Sequence, residues 1–364
     1  MAPLRVRERD AGEQPTRLRG VVVRDRRLEV LAKWGRLSKL ATKPTEQADG
    51  RGLVAHSANA SRITHLVIYA LEVSFRTVDE LENALRRAEY LPDRGLAMAL
   101  FLATALEKPV LLEGEAGVGK TEAAKALARA LDARLTRLQC YEGLDVSHAV
   151  YEWNYSRQLL HIRAAQEGTV SEEELFGPDF LIRRPLLEAI EADDEVVLLV
   201  DEIDRADEEF EAFLLEVLSD FQITIPELGT IRARRRPTVV LTSNRTRELH
   251  DALKRRCLYH WIEHPSLERE AEIVELRVPG VSARLAREAA AVVRALRGLE
   301  LEKPPGVAET IDWAQALTAL GRDELDVGFA EATLGSLLKV REDVEALRDG
   351  RLGGIVDEAR AAAG

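Results

Sequence analysis

The 364-residue chain is expected to fold as an α/β domain, a parallel sheet with helices on both faces, followed by a smaller all-helical domain. Three observations lead there. Short apolar runs alternate with helical patterns between residues 110 and 262, which predicts parallel strands buried on both faces. A glycine-rich loop joins the first of these runs to the helix after it. Beyond Pro265 the strand signals stop, and only helical periodicity continues.

The elements follow in order. Val78–Tyr90 places Val78, Leu81, Leu85 and Ala88 at the three-to-four spacing of one buried helical face. Gly95–Leu106 is nearly all apolar and reads as a buried helix. Strands are expected at Val110–Leu112, Arg134–Leu138, Val196–Val200, Thr238–Leu241 and Leu258–Ile262. Residues 266–349 read as helices broken at Pro279-Gly280 and Pro304-Pro305-Gly306, with Ser282 set to cap Ala283–Leu296. The expected segments are an extension at 1–75, an α/β domain at 76–264 and a helical lid domain at 265–364.

Charge divides along the same line. Residues 1–75 carry 14 Lys and Arg against 8 Asp and Glu, and the rest of the chain 37 against 55. Two readings of the basic extension stand. It is an arm for nucleic acid or an acidic partner, or it is either a poorly ordered tail or a stretch outside the true reading start, with Val73 as the candidate first residue. The second is the expectation. An acidic core argues against general nucleic-acid binding. Two cysteines, Cys140 and Cys257, make no disulfide framework, and no signal-peptide pattern or membrane-length apolar run is present. A cytoplasmic protein with no membrane span is expected.

The strongest chemical pattern follows the first strand. Gly114, Glu115, Ala116, Gly117, Val118, Gly119, Lys120 and Thr121 form G-x-x-x-x-G-K-T between a strand and a helix rich in Ala and Leu. Glycines let successive N–H groups turn toward phosphate oxygens, and the helix N-terminus adds its positive end. Lys120 supplies a cation to the β/γ-phosphates, and the Thr121 hydroxyl a ligand for Mg²⁺. Asp201 and Glu202 end the apolar run Val196–Val200, where ligands bind in open α/β sheets. Asp201 would hold Mg²⁺ and Glu202 would polarise the attacking water. Asn244, ending the fourth strand, would orient that water. Arg256, with Arg255 as runner-up, would reach a neighbouring subunit's γ-phosphate; a solvated basic helix end is the competing reading.

These residues resemble the Walker A, Walker B, sensor 1 and arginine-finger elements of an AAA+ ATPase. The flanking stretches Asp201–Ala206, Phe213–Glu216 and Gln222–Ile231 resemble the MoxR branch, and Leu138–Tyr155 is most similar to its CoxD-type subgroup. The resemblance covers about residues 76–340. It implies a sheet ordered fifth, first, fourth, third, second strand, a helical lid, and a β-hairpin before the fourth strand. It also implies ATP and Mg²⁺ as cofactors and homo-oligomeric rings, usually hexamers. A von Willebrand factor A domain partner and a metalloenzyme client, of the molybdenum hydroxylase or carbon monoxide dehydrogenase type, complete what it implies. One departure stands out. Lids of this branch carry an Arg toward the nucleotide, whereas Gly306–Trp313 has none.

Three further features carry two readings each. Cys257, His260 and His264 have ligand-like spacing, but strand alternation would divide them between faces. Tyr151, Trp153 and Tyr155 would line one face of an extended segment, as a client surface or as ring packing. Arg232, Arg234, Arg235 and Arg236 form a basic patch that engages DNA or an acidic polypeptide, or simply flanks a strand. The leading expectation is a ring-forming ATP hydrolase that remodels a protein client. The alternative is a nucleic-acid-associated ATPase that uses the arginine patch, and a third reading is a nucleotide-gated scaffold.

Overall fold

The computed structural model describes residues 75–165, 170–348 and 351–363. The expectations for the basic extension at 1–75 fall outside them, except at Phe75. A five-stranded parallel sheet forms the centre: β1 (Val110–Gly114), β2 (Arg134–Gln139), β5 (Val196–Asp201), β8 (Thr238–Ser243) and β9 (Leu258–Ile262). Its order is β2-β5-β8-β1-β9, the expected arrangement read from the opposite edge. Two antiparallel pairs lie outside the sheet, β3 (Tyr151–Trp153) with β4 (Leu181–Arg183), and the hairpin β6 (Gln222–Ile225) with β7 (Gly229–Arg232).

Alternation along the strands builds two cores. Val110, Leu112, Val197, Leu199 and Val240 face the helices α1 (Val78–Arg87), α2 (Arg94–Leu106) and α3 (Lys120–Leu131). Leu111, Leu198, Val200, Val239 and Leu241 face the other side. There lie α5 (Pro185–Glu191), α6 (Glu208–Asp220) and α7 (Asp251–Arg256), reached after α4 (Tyr155–Ala164). Adjacent residues of one strand thus stand in different cores, which is why these strands read as unbroken apolar runs. The parallel register sets Val110 beside Val240 and Leu258, and Leu138 beside Val200.

Helix α1 ends at Arg87 rather than Tyr90. Glu89 takes φ 59°, its N–H bonds Arg86 O (3.1 Å), and the Tyr90 N–H bonds Leu85 O (3.0 Å), a left-handed cap that sequence periodicity cannot register. Beyond the sheet come α8 (Leu267–Arg277), α9 (Ala283–Arg297), α10 (Val307–Ala319), α11 (Val327–Leu337), α12 (Arg341–Arg348) and α13 (Arg351–Ala363). They pack around Trp313, Leu285, Leu296 and Leu334, all fully buried. Ser282 caps α9 as expected, accepting the Leu285 N–H at 3.0 Å. Among the described residues no helix is long and apolar enough to cross a membrane.

Candidate nucleotide-binding site

The loop from Gly114 to Thr121 leaves the carboxyl end of β1, a strand buried along its whole length. Its glycines answer separate demands. Gly117 and Gly119 take φ of 77° and 96°, where a side chain strains the backbone. Gly114 fails on space instead, since a Cβ there would stand 2.5 Å from Ile262 O. Lys120 is buried and donates from Nζ to Gly114 O (2.8 Å) and Glu115 O (2.6 Å). Burial pushes its ammonium below the usual lysine value, while Asp204, Asp201 and Glu202 pull it back up. A cation is therefore held in reserve over loop carbonyls, at the amino end of α3.

Asp201 ends β5 and is almost wholly buried. Its Oδ1 accepts from Thr121 Oγ1 (2.9 Å) and Thr242 Oγ1 (2.5 Å). Its Oδ2 accepts from Arg137 Nη2 (2.6 Å) and Nε (3.0 Å), an ion pair from the neighbouring strand. The adjoining Thr121 hydroxyl and Asp201 carboxylate are oxygen donors of the kind a hard divalent cation takes. Glu202 follows with φ 56°, a left-handed turn that is strained for a non-glycine residue. Thr242 Oγ1 accepts the Glu202 N–H (2.9 Å), and the Glu202 carboxylate pairs with Arg205 at 3.0 Å.

Asn244 follows directly on β8, and its position is fixed from behind by Asp204. The buried Asp204 Oδ2 accepts from Asn244 N (3.2 Å), Thr246 N (2.9 Å) and Thr246 Oγ1 (2.7 Å). A second buried acid, Glu113 on β1, accepts from Ser243 Oγ (3.2 Å) and Tyr259 Oη (3.0 Å), tying the entry of the glycine loop to the exit of β8. Sequence reading missed Arg137, Thr242, Asp204 and Glu113 as parts of this site. A signal for Asp204 existed, since an acid three residues past a buried strand end is hard to reconcile with a solvated turn. None existed for Arg137, whose role rests on strand pairing.

A cavity of about 650 Å³ opens beside the glycine loop, lined by Tyr90, Gly117, Gly119, His260, Arg269 and Ile311 among others. It is bounded by the turn after α1, β9 and the lid helices, a size suited to a nucleotide base and sugar. Lys120, Thr121, Asp201, Glu202 and Asn244 therefore converge at the carboxyl edge of the sheet. Arg256 does not join them. It ends α7, just before Leu258, which pairs with Val110 at the amino end of β1. Four residues at about 3.3 Å each put it roughly 13 Å from the loop edge along the strands. Its guanidinium donates to Leu215 O (3.3 Å) on α6.

One expectation is corrected. Tyr155 does not continue the extended segment of Tyr151 and Trp153. Asn154 accepts the Arg157 N–H (2.9 Å) and starts helix α4 at Tyr155, which is exposed. Trp153 turns inward and packs edge-on against Phe176 at 5.1 Å. The arginine patch is largely matched by acids, Arg234 to Asp193 (3.0 Å), Arg235 to Glu195 (2.9 Å) and Arg236 to Glu107 (3.5 Å). His260 and His264 both line the cavity, facing Asp93 (3.5 Å) and Glu115 (3.0 Å), whereas Cys257 lies outside it at the end of α7.

Residues 109–257 match the family model of the AAA domain, dynein-related subfamily. No curated protein matches the chain. Among solved structures, a point mutant of RuvB from Thermotoga maritima is 18% identical over 74% of this chain and 75% of that one, at a TM-score of 0.42. The Thermotoga maritima RuvB Holliday junction branch migration motor is 19% identical over 66% of each chain, at 0.37. The family match spans the glycine loop, the acidic end of β5 and Asn244, and the chain carries an AAA+ ATPase domain.

Proposed function

We propose that the protein is a ring-forming, Mg²⁺-dependent ATP hydrolase that remodels a protein client. The observation that carries this reading is the convergence of Lys120, Thr121, Asp201 and Glu202 at the carboxyl edge of one sheet. Loop amides and Lys120 bind the phosphates. Thr121 and Asp201 would hold Mg²⁺, which would supply charge neutralisation at the phosphates. Glu202 takes a proton from the attacking water, and Asn244 orients that water. Arg256, at the wrong edge to serve its own loop, completes the site of the next subunit, so assembly is part of the chemistry. The same placement supports a homo-oligomer as the working form, with a hexameric ring as the family resemblance implies.

A protein client is favoured over nucleic acid because three of the four patch arginines are already engaged by acids. The resemblance to CoxD-type members supports a metalloenzyme client and a von Willebrand factor A domain partner. Replacing Glu202 with Gln tests the assignment: ATP should stay bound while turnover stops, and the trapped form should retain its client from cell extract. Undiminished turnover in Glu202→Gln would remove the catalytic role. DNA-stimulated, salt-sensitive turnover of the wild-type protein would instead favour the nucleic-acid alternative.

A further inference from the structure

The lid meets the glycine loop backbone to backbone. Gly306 precedes α10 in an extended conformation that any residue adopts, so its glycine answers to space rather than to φ. A Cβ on Gly306 would stand 2.8 Å from both Ala116 O and Gly117 Cα. A Cβ on Gly117 would stand 3.0 Å from Gly306 Cα. Across this contact the Val307 N–H donates to Gly117 O at 3.1 Å, with the Ala308 N–H at 3.4 Å. The first amides of α10, which no carbonyl within the helix can satisfy, thus find their acceptor on the loop.

The lid edge making this contact is braced. Glu309 Oε2 accepts the Gly306 N–H (3.0 Å), so the one charged side chain in the first turn of α10 is spent as a cap. Thr310 Oγ1 donates to Glu270 Oε1 (2.6 Å) and lies 3.1 Å from Gly306 O. Arg297 holds Pro305 O through Nε (2.7 Å) and grips both oxygens of the buried Glu270 at 2.7 Å. The turn is therefore fixed to the lid core.

A trans peptide points its C=O and the following N–H in opposite directions. Holding Gly117 C=O outward against the lid aims the Val118 N–H the other way, toward the concave side of the loop where phosphate-binding amides point. We infer that Gly306 and Val307 of the lid position the Gly117–Val118 peptide for phosphate, so that the lid is coupled to nucleotide through a backbone contact at a turn that carries no arginine. The inference rests on the reading of the loop as a nucleotide site. Coupling of this kind is reciprocal, so nucleotide must also tighten the lid edge.

The test uses the full chain and equilibrium binding of a fluorescent ATP analogue. Val307→Pro removes the donor while suiting the first helical position and the extended residue before it. Loss of this bond should weaken binding about tenfold. Val307→Ala trims the side chain but keeps the N–H, and should bind at least about fivefold tighter than Val307→Pro if the N–H is what matters. Gly306→Ala keeps every donor but forces the two backbones apart, and should weaken binding by a similar about tenfold. In the wild-type protein nucleotide should slow hydrogen exchange at residues 306–310, and in Gly306→Ala it should not. Should Val307→Pro fail to fold, Gly306→Ala decides alone. Equal affinity in all variants, or equal losses in Val307→Pro and Val307→Ala, overturns the inference. A wild-type protein that binds no nucleotide sinks the parent reading instead.

Discussion

Asp204 offers the sharpest check on how the loop carrying Asn244 is built. It is nearly inaccessible, and its Oδ2 holds two backbone amides and one hydroxyl of residues 244–246. Hydrogen bonds to a charged acceptor contribute roughly 1.5–3 kcal/mol each, but Thr246 is exposed and water can replace part of the loss. About 1 kcal/mol per bond, or about 3 kcal/mol in all, is the expected cost of Asp204→Ala. Freed from its anchor, Asn244 no longer stays in place, and turnover at saturating ATP should fall by at least about tenfold. Nucleotide affinity should not fall, because none of these bonds reaches the glycine loop and the charge removed beside Lys120 is a negative one. Asp204→Asn keeps one acceptor and should recover about half of the lost stability. Denaturant unfolding and steady-state turnover on the same preparations decide it. A variant that loses the stability but keeps wild-type turnover would show that the anchor is structural and that Asn244 needs no such support.

The remaining predictions are shorter. Arg137 is half exposed, so its pair with Asp201 contributes about 1 kcal/mol after solvent screening; Arg137→Met should lower the Mg²⁺ midpoint for nucleotide binding by about fivefold, and a raised midpoint would refute the idea that Arg137 competes for that carboxylate. Mixing Arg256→Ala with Lys120→Ala subunits should restore turnover that neither has alone, and no recovery in confirmed mixed assemblies would return Arg256 to the status of a helix end. Glu270→Ala strands Arg297, which is only 11% exposed, and should destabilise the chain by about 3–5 kcal/mol in denaturant unfolding; a cost under about 1 kcal/mol would mean the lid turn is braced some other way.

Local pattern made the sheet legible. All five expected strands form: β1, β5 and β8 are buried on both faces and read as unbroken apolar runs, the edge strands β2 and β9 are only partly buried, and the order is the one the family resemblance implies. The site was legible where chain neighbours suffice, as in Gly114–Thr121 and Asp201-Glu202. It was illegible where strand pairing brings distant residues together. Gln139 stands beside Asp201 in the register, so Arg137 reaches that carboxylate only because β2 lies against β5. The β3–β4 pair joins two three-residue strands, too short for alternation to register, and Asn154 breaks the aromatic series just where a strand would have continued. Ion pairing of the arginine patch was likewise invisible, since its partners Glu107 and Asp193 lie in other loops.

An apparent conflict remains between an acidic core and an anionic substrate, and the geometry resolves it. Residues 76–364 carry 55 acids against 37 bases, a balance that taken as an average field would repel a triphosphate. Yet the buried acids around the glycine loop face protein donors. Glu113 is held by Ser243 and Tyr259, Asp204 by loop amides, and Glu270 by Arg297 and Thr310. Each binds and orients backbone or side chains from behind the site. The groups that would meet the phosphates under the proposed reading are different: the loop amides, the end of α3, and Lys120, whose ammonium is already desolvated. Taking a cation out of water has its cost in folding, and a phosphate that enters recovers that cost without displacing bulk water from the amine. Asp201 is the exception that fits the rule, since its carboxylate meets Arg137 and two threonines in the chain alone and suits Mg²⁺ when nucleotide arrives. Net charge therefore describes how the protein repels other acidic surfaces; local donors decide what enters the site.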